Sequence, residues 1–334
     1  MANFVDENLE RLMKISKEET QNLSSSENIL ETSIPFEKFF ISNITSKLLK
    51  TMVMEYDILS QTLKIQTVID NLQTNQAKVT MYSMSQDSYK NFCQSHLKLD
   101  CDKQYNDSSN VIFNGVPVRV FAIMPPYKEL PLIVMSTAKN PPEKIEQLSE
   151  TDEKRLAEVL SSNFLICGKS GAGKTYLLNY LLKKYFPKDR RVGLIQEFSE
   201  LYAPNDFTDQ MTTPPRVPGQ RWNDLEFLTE QSNLMRYDTI LVGEIKSSEA
   251  WPFVVNCASG TSGGATIHGT SCQSALQRLR TLCLLARDNL QPATVDIFIK
   301  DAIDYVVYVE DAQVKEISKL LTVNNGKFSL QPVN

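Results

Sequence analysis

The stretch Gly168-Lys169-Ser170-Gly171-Ala172-Gly173-Lys174-Thr175 constrains this chain more than any other. It fits G-x-x-x-x-G-K-[ST] without a mismatch, follows the apolar run Phe164-Leu-Ile-Cys167, and precedes a helix expected over Tyr176–Tyr185. A strand that ends in such a loop and turns into a helix aims several backbone N–H groups at one point, where the helix N-terminus adds positive dipole charge. Phosphate suits that arrangement. Lys174 is expected to neutralise the outer phosphates of a nucleotide and Thr175 to offer its hydroxyl to Mg²⁺, with Tyr176 beside them. ATP and Mg²⁺ are therefore the expected cofactors.

The surrounding pattern agrees. Beyond about residue 150 the chain alternates strand, loop and helix, which predicts an α/β domain with a parallel sheet covered by helices. Apolar runs place its core strands at Asn163–Cys167, Val192–Ile195, Thr239–Val242, Ala265–Ile267 and Tyr305–Val309, with a terminal hairpin turning at Asn324-Asn325-Gly326. Residues 35–137 mix signals and read as a separate α+β domain. There Leu48–Leu63 has helical spacing, Lys78–Ser83 and Val118–Ile123 alternate as strands, and Pro125-Pro126 marks a turn. Residues 138–150, with Pro141-Pro142, read as a linker to the domain at 151–334, and residues 1–34 as a polar arm.

Asp238-Thr-Ile-Leu-Val-Gly-Glu244 is an apolar strand closed by a carboxylate. An acid at the carboxyl end of a strand, downstream of a phosphate loop, can hold a metal-bound water or take a proton from an attacking one, so Glu244 is the candidate base. Composition excludes other classes. The 35 Lys and Arg stand against 40 Asp and Glu, and a net charge of −5 argues against sequence-independent duplex binding through a broad basic face. Six cysteines form no C-x-x-C pair and only two histidines are present, so a structural zinc site is not expected. Scattered thiols and the lack of a run of roughly 20 apolar residues point to the cytoplasm, with membrane association only through partners.

Further motifs carry a family resemblance. Gly243-Glu-Ile-Lys-Ser-Ser-Glu-Ala250 resembles the G-E-[IL]-R-[DS]-x-E-A block of secretion traffic ATPases, and Ala258–Ser271 resembles their histidine box around His268. Ala275-Leu-Gln-Arg278-Leu279 is similar to their A-x-x-R-L helix, Leu194–Leu201 to their acidic box, and Gly115–Val120 to an N-terminal element that supplies Arg119. Missing paired cysteines and Ser-Ser-Glu-Ala point to the type IV branch rather than type II. The resemblance implies an N-terminal α+β domain joined to a C-terminal RecA-like P-loop ATPase domain, assembled as a homohexamer. Such a ring would work at the cytoplasmic face of the inner membrane with secretion-system components and a coupling ATPase, with no direct sequence-specific nucleic-acid binding.

For individual residues, the resemblance implies that Lys174, Glu244, His268 and Glu197 are catalytic, His268 as sensor of the terminal phosphate. Thr175, Glu197 and Glu244 would hold the metal. The loop 168–175, Tyr176, Arg119 and Arg236 would bind nucleotide, with Arg216 and Arg221 as further candidate clamps. The chain departs from the pattern at four places: Thr261 replaces the first histidine of the box, Gln196 an acid, and Lys246 and Met135 an arginine each.

Overall fold

The computed structural model describes residues 30–31, 35–46, 49–71, 74–101, 107–123, 130–137, 142–146, 148–213 and 224–333. Most of the expected polar arm, the turn at Pro125-Pro126, part of the linker, and Arg216 and Arg221 lie outside them. Two compact units emerge: one takes the chain up to Asp107 with Val120–Ser136, the other Ser108–Arg119 with Thr137 onward.

Strands β1 (Leu30–Glu31), β2 (Leu49–Asp57), β3 (Thr62–Asn71), β4 (Thr74–Ser83), β5 (Asp107–Phe113), β6 (Val116–Ile123) and β7 (Leu132–Thr137) form one seven-stranded sheet. Its order is β1-β4-β3-β2-β7-β6-β5. The strands expected at Lys78–Ser83 and Val118–Ile123 lie within β4 and β6. The helix expected over Leu48–Leu63 is instead the β2–β3 hairpin. Met52, Met54 and Tyr56, then Leu63 and Ile65, are buried at every second position, a strand period. The turn between them holds no glycine or proline; Asp57 builds it by accepting from Leu59 N at 3.0 Å and Ser60 Oγ at 2.9 Å. Helices α1 (Phe36–Ile44) and α2 (Gln86–Leu97) contribute an aromatic cluster, with Phe92 4.8 Å from Phe36 and 4.9 Å from Phe40, ring centre to ring centre. Met135, at the arginine position of the family pattern, is buried within β7.

The larger unit is built on an eight-stranded sheet, ordered β10-β9-β11-β12-β8-β13-β14-β15. Its strands are β8 (Phe164–Gly168), β9 (Val192–Gln196), β10 (Thr208–Thr212), β11 (Thr239–Ile245), β12 (Ser262–His268), β13 (Tyr305–Glu310), β14 (Gln313–Asn324) and β15 (Lys327–Pro332). The first six in sheet order run parallel, and β14 and β15 close the sheet antiparallel. Every residue of β8 and β9 is buried, which is why both read as unbroken apolar runs rather than alternating ones. The terminal hairpin turns at Asn325 and Gly326, both at positive φ.

Helices cover this sheet: α3 (Glu150–Val159), α4 (Lys174–Tyr185), α5 (Asp224–Gln231), α6 (Ala250–Ala258), α7 (Cys272–Ala286) and α8 (Pro292–Ala302). Phe253, Leu276, Leu279, Val295 and Ile299 belong to one apolar core with Val242, Ala265 and Ile267; Leu156, Leu177, Leu178 and Leu181 form a second with Ile166 and Leu194. Helix α3 is tied to α4 by a polar knot. Glu153 accepts from Tyr180 Oη, from Lys184 Nζ at 2.6 Å and from Tyr185 Oη at 2.7 Å. Lys184 and the two phenols hold its carboxyl down at about 2. A depressed carboxyl stabilises the fold fully above its unfolded pKa of about 4.3 and ceases to do so as pH falls toward 2. Glu153→Gln is therefore expected to lower the melting temperature by about 2–5 °C at pH 7. The gap to wild type should shrink steadily in melts run between pH 5 and pH 3; a gap independent of pH would show that packing, not charge, holds the knot.

Candidate active site

Strand β8 delivers Gly168 to the carboxyl edge of the parallel strands. The chain passes through exposed Lys169 and Ser170 into the loop that opens α4. Gly171 and Gly173 stand at φ +73° and +93°. At Gly173 a side chain would be strained, and its Cβ would lie 3.1 Å from Ala312 Cα. The β13–β14 turn thus walls the loop: Ala312 N donates to Ala172 O at 2.9 Å, and Lys169 Nζ lies 3.6 Å from Glu310. Asp311 and Ala312 both take positive φ, a conformation alanine does not announce in a sequence.

Lys174 is buried, and its ammonium donates to Gly168 O at 3.1 Å and Lys169 O at 3.0 Å. Burial pushes its pKa down, against the opposing pull of Glu244. Thr175 and Tyr176 follow, both half-buried, on the first turn of α4. Glu244 stands near the end of β11, where the register with β12 slips between Val242 and Ile245. His268 closes the adjacent β12, and its Nε2 lies 3.0 Å from Glu244 Oε1. Burial pushes the Glu244 carboxyl up, but the His268 hydrogen bond and the charges of Lys174 and Arg119 outweigh it and hold the group below the usual carboxylate range.

The loop after β9 separates the two acids of the acidic box. Glu197 pairs with Lys246 Nζ, both side chains being half-buried. Glu200, three residues on, faces Arg119 Nη1 at 3.8 Å and interacts with Glu244 and Lys174. Partial burial and the Glu244 charge raise its pKa, while Arg119 and Lys174 oppose the rise. Two carboxyls pushed in opposite directions beside one lysine are a familiar acid–base arrangement. Arg119 also stacks 3.8 Å above the Phe198 ring. Arg278, on α7, is close enough for its charge to act on Lys174.

Other candidates stand elsewhere. Arg236 is exposed in the turn before β11, and from Thr239 to Glu244 that strand carries the chain about 17 Å toward the loop. Thr261 likewise precedes β12, whose far end bears His268, so a histidine there would not reach Glu244 in the same subunit. The acidic-box pattern contains both Glu197 and Glu200, and only the path of the loop tells them apart.

Residues 118–309, more than half the chain, match the family described as type II/IV secretion system protein. The chain belongs to that family. Among curated relatives, the type IV secretion system protein PtlH of Bordetella pertussis is 34% identical over 163 residues, 47% of this chain and 47% of PtlH. The chain thus matches about half the length of that relative. Solved structures extend the likeness in shape. The ATPase DotB of Legionella pneumophila gives a TM-score of 0.58 at 15% identity, covering 92% of this chain and 83% of DotB. The pilus retraction motor PilT with bound ADP gives 0.57 at 13%, covering 90% and 82%. At such identities the shared feature is the fold, and the family member described here has the RecA-like fold of those structures.

Proposed function

We propose that this chain is an ATP-hydrolysing ring motor that powers substrate transport or pilus assembly by a type IV secretion or conjugation system. The observation that carries the reading is the convergence of Lys174, the Glu244–His268 pair and Glu200 at the edge of the sheet that bears the phosphate loop. Loop 168–175 cradles the phosphates through its backbone N–H groups, and Lys174 moves from its two carbonyl partners to the β- and γ-oxygens. Glu244, kept ionised and oriented by His268, accepts the proton of the attacking water. Thr175 with Glu244 and Glu200 offers the hard oxygen ligands that Mg²⁺ prefers, and Glu197 stands nearby on the same loop as Glu200. When bound, Mg²⁺ spreads the negative charge of the outer phosphate oxygens.

A ring of six gives the distant Arg236 a role, since it can approach the nucleotide of a neighbouring subunit. Among the described residues no helix is long and apolar enough to cross a membrane. We place the ring at the cytoplasmic face of the inner membrane, held there by partner components of the machine. The likeness to PilT favours a pilus motor as the second reading, with the same chemistry and a different load.

Steady-state phosphate release with magnesium-ATP tests the reaction, and light scattering tests the ring. Turnover is expected, together with a species near six times 37.9 kDa in the presence of a non-hydrolysable ATP analogue. A strict monomer at micromolar concentration with and without the analogue would remove the ring. Binding without any phosphate release would reduce the chain to a nucleotide-dependent scaffold.

A further inference from the structure

The stretch 200–202 is built onto two buried side-chain amides from different elements. Gln196 closes β9 and is 1% exposed; Asn179, in the middle of α4, is 3% exposed. Gln196 Oε1 accepts from Glu200 N at 3.0 Å and from Leu201 N at 2.9 Å, and its Nε2 donates to Leu201 O at 3.3 Å. Asn179 Nδ2 donates to Glu200 O at 2.8 Å, and its Oδ1 accepts from Tyr202 N at 3.0 Å. Both the N–H and the C=O of Glu200 are therefore held by side chains, one from the strand behind it and one from the helix that follows the phosphate loop.

An amide makes every one of these bonds at both sites. Each side chain donates from one end and accepts at the other, which a carboxylate does only when protonated and an apolar residue never does. Room for Gln196 is also built in: at Gly243 on the neighbouring β11, a Cβ would lie 2.9 Å from Gln196 Cβ. Any side chain at 243 would displace the amide or the strand that ends in Glu244. Phosphate helix, Glu200 loop and Glu244 strand meet at these two residues.

We infer that Gln196 and Asn179 are positioning residues that fix the Glu200 carboxylate relative to the phosphate loop. The inference deepens the proposed hydrolytic role and rests on it. Because Asn179 sits on the helix whose first residue is Lys174, any shift of the phosphate loop is passed to Glu200 through a hydrogen-bonded bracket rather than a free loop. The ion pair of Glu200 with Arg119 is long, at 3.8 Å, and half-exposed, too weak to fix the carboxylate's position. The backbone bracket does so instead. Misplacing a reacting group by about 1 Å costs up to roughly 10²-fold in rate.

The test uses the full chain with Gln196→Met, Asn179→Leu and Gln196→Glu. Met and Leu keep the bulk and remove the hydrogen bonds. Glu keeps both accepted bonds and loses the donation to Leu201 O. Amide hydrogen exchange at Glu200 and Leu201 is expected to accelerate in Gln196→Met, and at Tyr202 in Asn179→Leu. Turnover per folded molecule should fall about 10- to 10²-fold in both with the KM for ATP changed less than about threefold. Gln196→Glu should recover most of the turnover lost in Gln196→Met. Preserved turnover per folded molecule, or exchange no faster than in wild type, would overturn the inference. So would a Gln196→Glu variant as slow as Gln196→Met. If the wild-type chain itself releases no phosphate, the hydrolytic reading fails. The bracket is then judged on amide exchange at Glu200 and Leu201 in Gln196→Met, and exchange no faster than in wild type would overturn it.

Discussion

Lys174→Ala is expected to reduce phosphate release to background, a loss of at least about 10³-fold, and to weaken ATP binding by about 10²-fold or more. The lysine is the cation held inside the loop itself, with its ammonium 3.1 and 3.0 Å from two carbonyls of that loop. A multiply charged phosphate presented there without a compensating cation would face Glu244 and Glu200 from the same edge, and repulsion between like charges in a partly desolvated site is steep. Stability should move little. Burial already presses the Lys174 ammonium toward neutrality, so its removal relieves desolvation while two carbonyls lose a donor. A melting temperature within a few degrees of wild type, with both binding and turnover gone, is the expected pair of results. Retained turnover would show that the loop does not cradle the reacting phosphates. Lys174→Arg should not rescue, because a planar guanidinium does not fit where a compact ammonium sits between two carbonyls.

Such effects could be anticipated because the sequence was most legible where chemistry and burial coincide. Strand β8, the loop and α4 were readable together, since a fully buried parallel strand leaves an apolar run and the loop leaves its glycines and lysine. Glu244 was readable as the acid near the end of a later such run. Legibility failed where local signals were neutral. The β2–β3 hairpin turns on Asp57 side-chain bonds and a positive φ at Gln61 rather than on glycine, so its two strands blended into a helix-like spacing. Edge strand β10 reads Thr-Asp-Gln-Met-Thr, too polar to register as a strand, yet it pairs with all of β9. The path that brings Glu200 toward Glu244 and Lys174 is held in part by Asn179, about twenty residues upstream and on another element. No pattern within the acidic box contains that information.

His268 and Glu244 provide the sharpest mechanistic test, because two roles for the histidine predict different arithmetic. Glu244→Gln should retain ATP binding and lower turnover about 10³-fold, since the amide keeps the shape and accepts no proton. His268→Ala should lower turnover about 10²-fold. If the histidine acts through Glu244, as the 3.0 Å contact supports, the double variant should be no slower than Glu244→Gln alone, within about threefold. The reason is that orienting a base has no value once the base is gone. If His268 instead bonds the terminal phosphate independently, the two losses multiply toward about 10⁵-fold. Melting temperatures on the same preparations guard against a trivial loss of folded protein. His268 is only partly buried at the end of β12, so its truncation should cost about 1–2 kcal/mol at most, far from unfolding a domain. A histidine that orients the base is also compatible with Thr261 at the other histidine position. Thr261 lies at the opposite end of β12 and has no access to Glu244 within the subunit, so only His268 can hold that carboxylate. Thr261→His should accordingly leave the Glu244→Gln and His268→Ala effects unchanged, and restored turnover in a His268→Ala, Thr261→His variant would contradict the assignment.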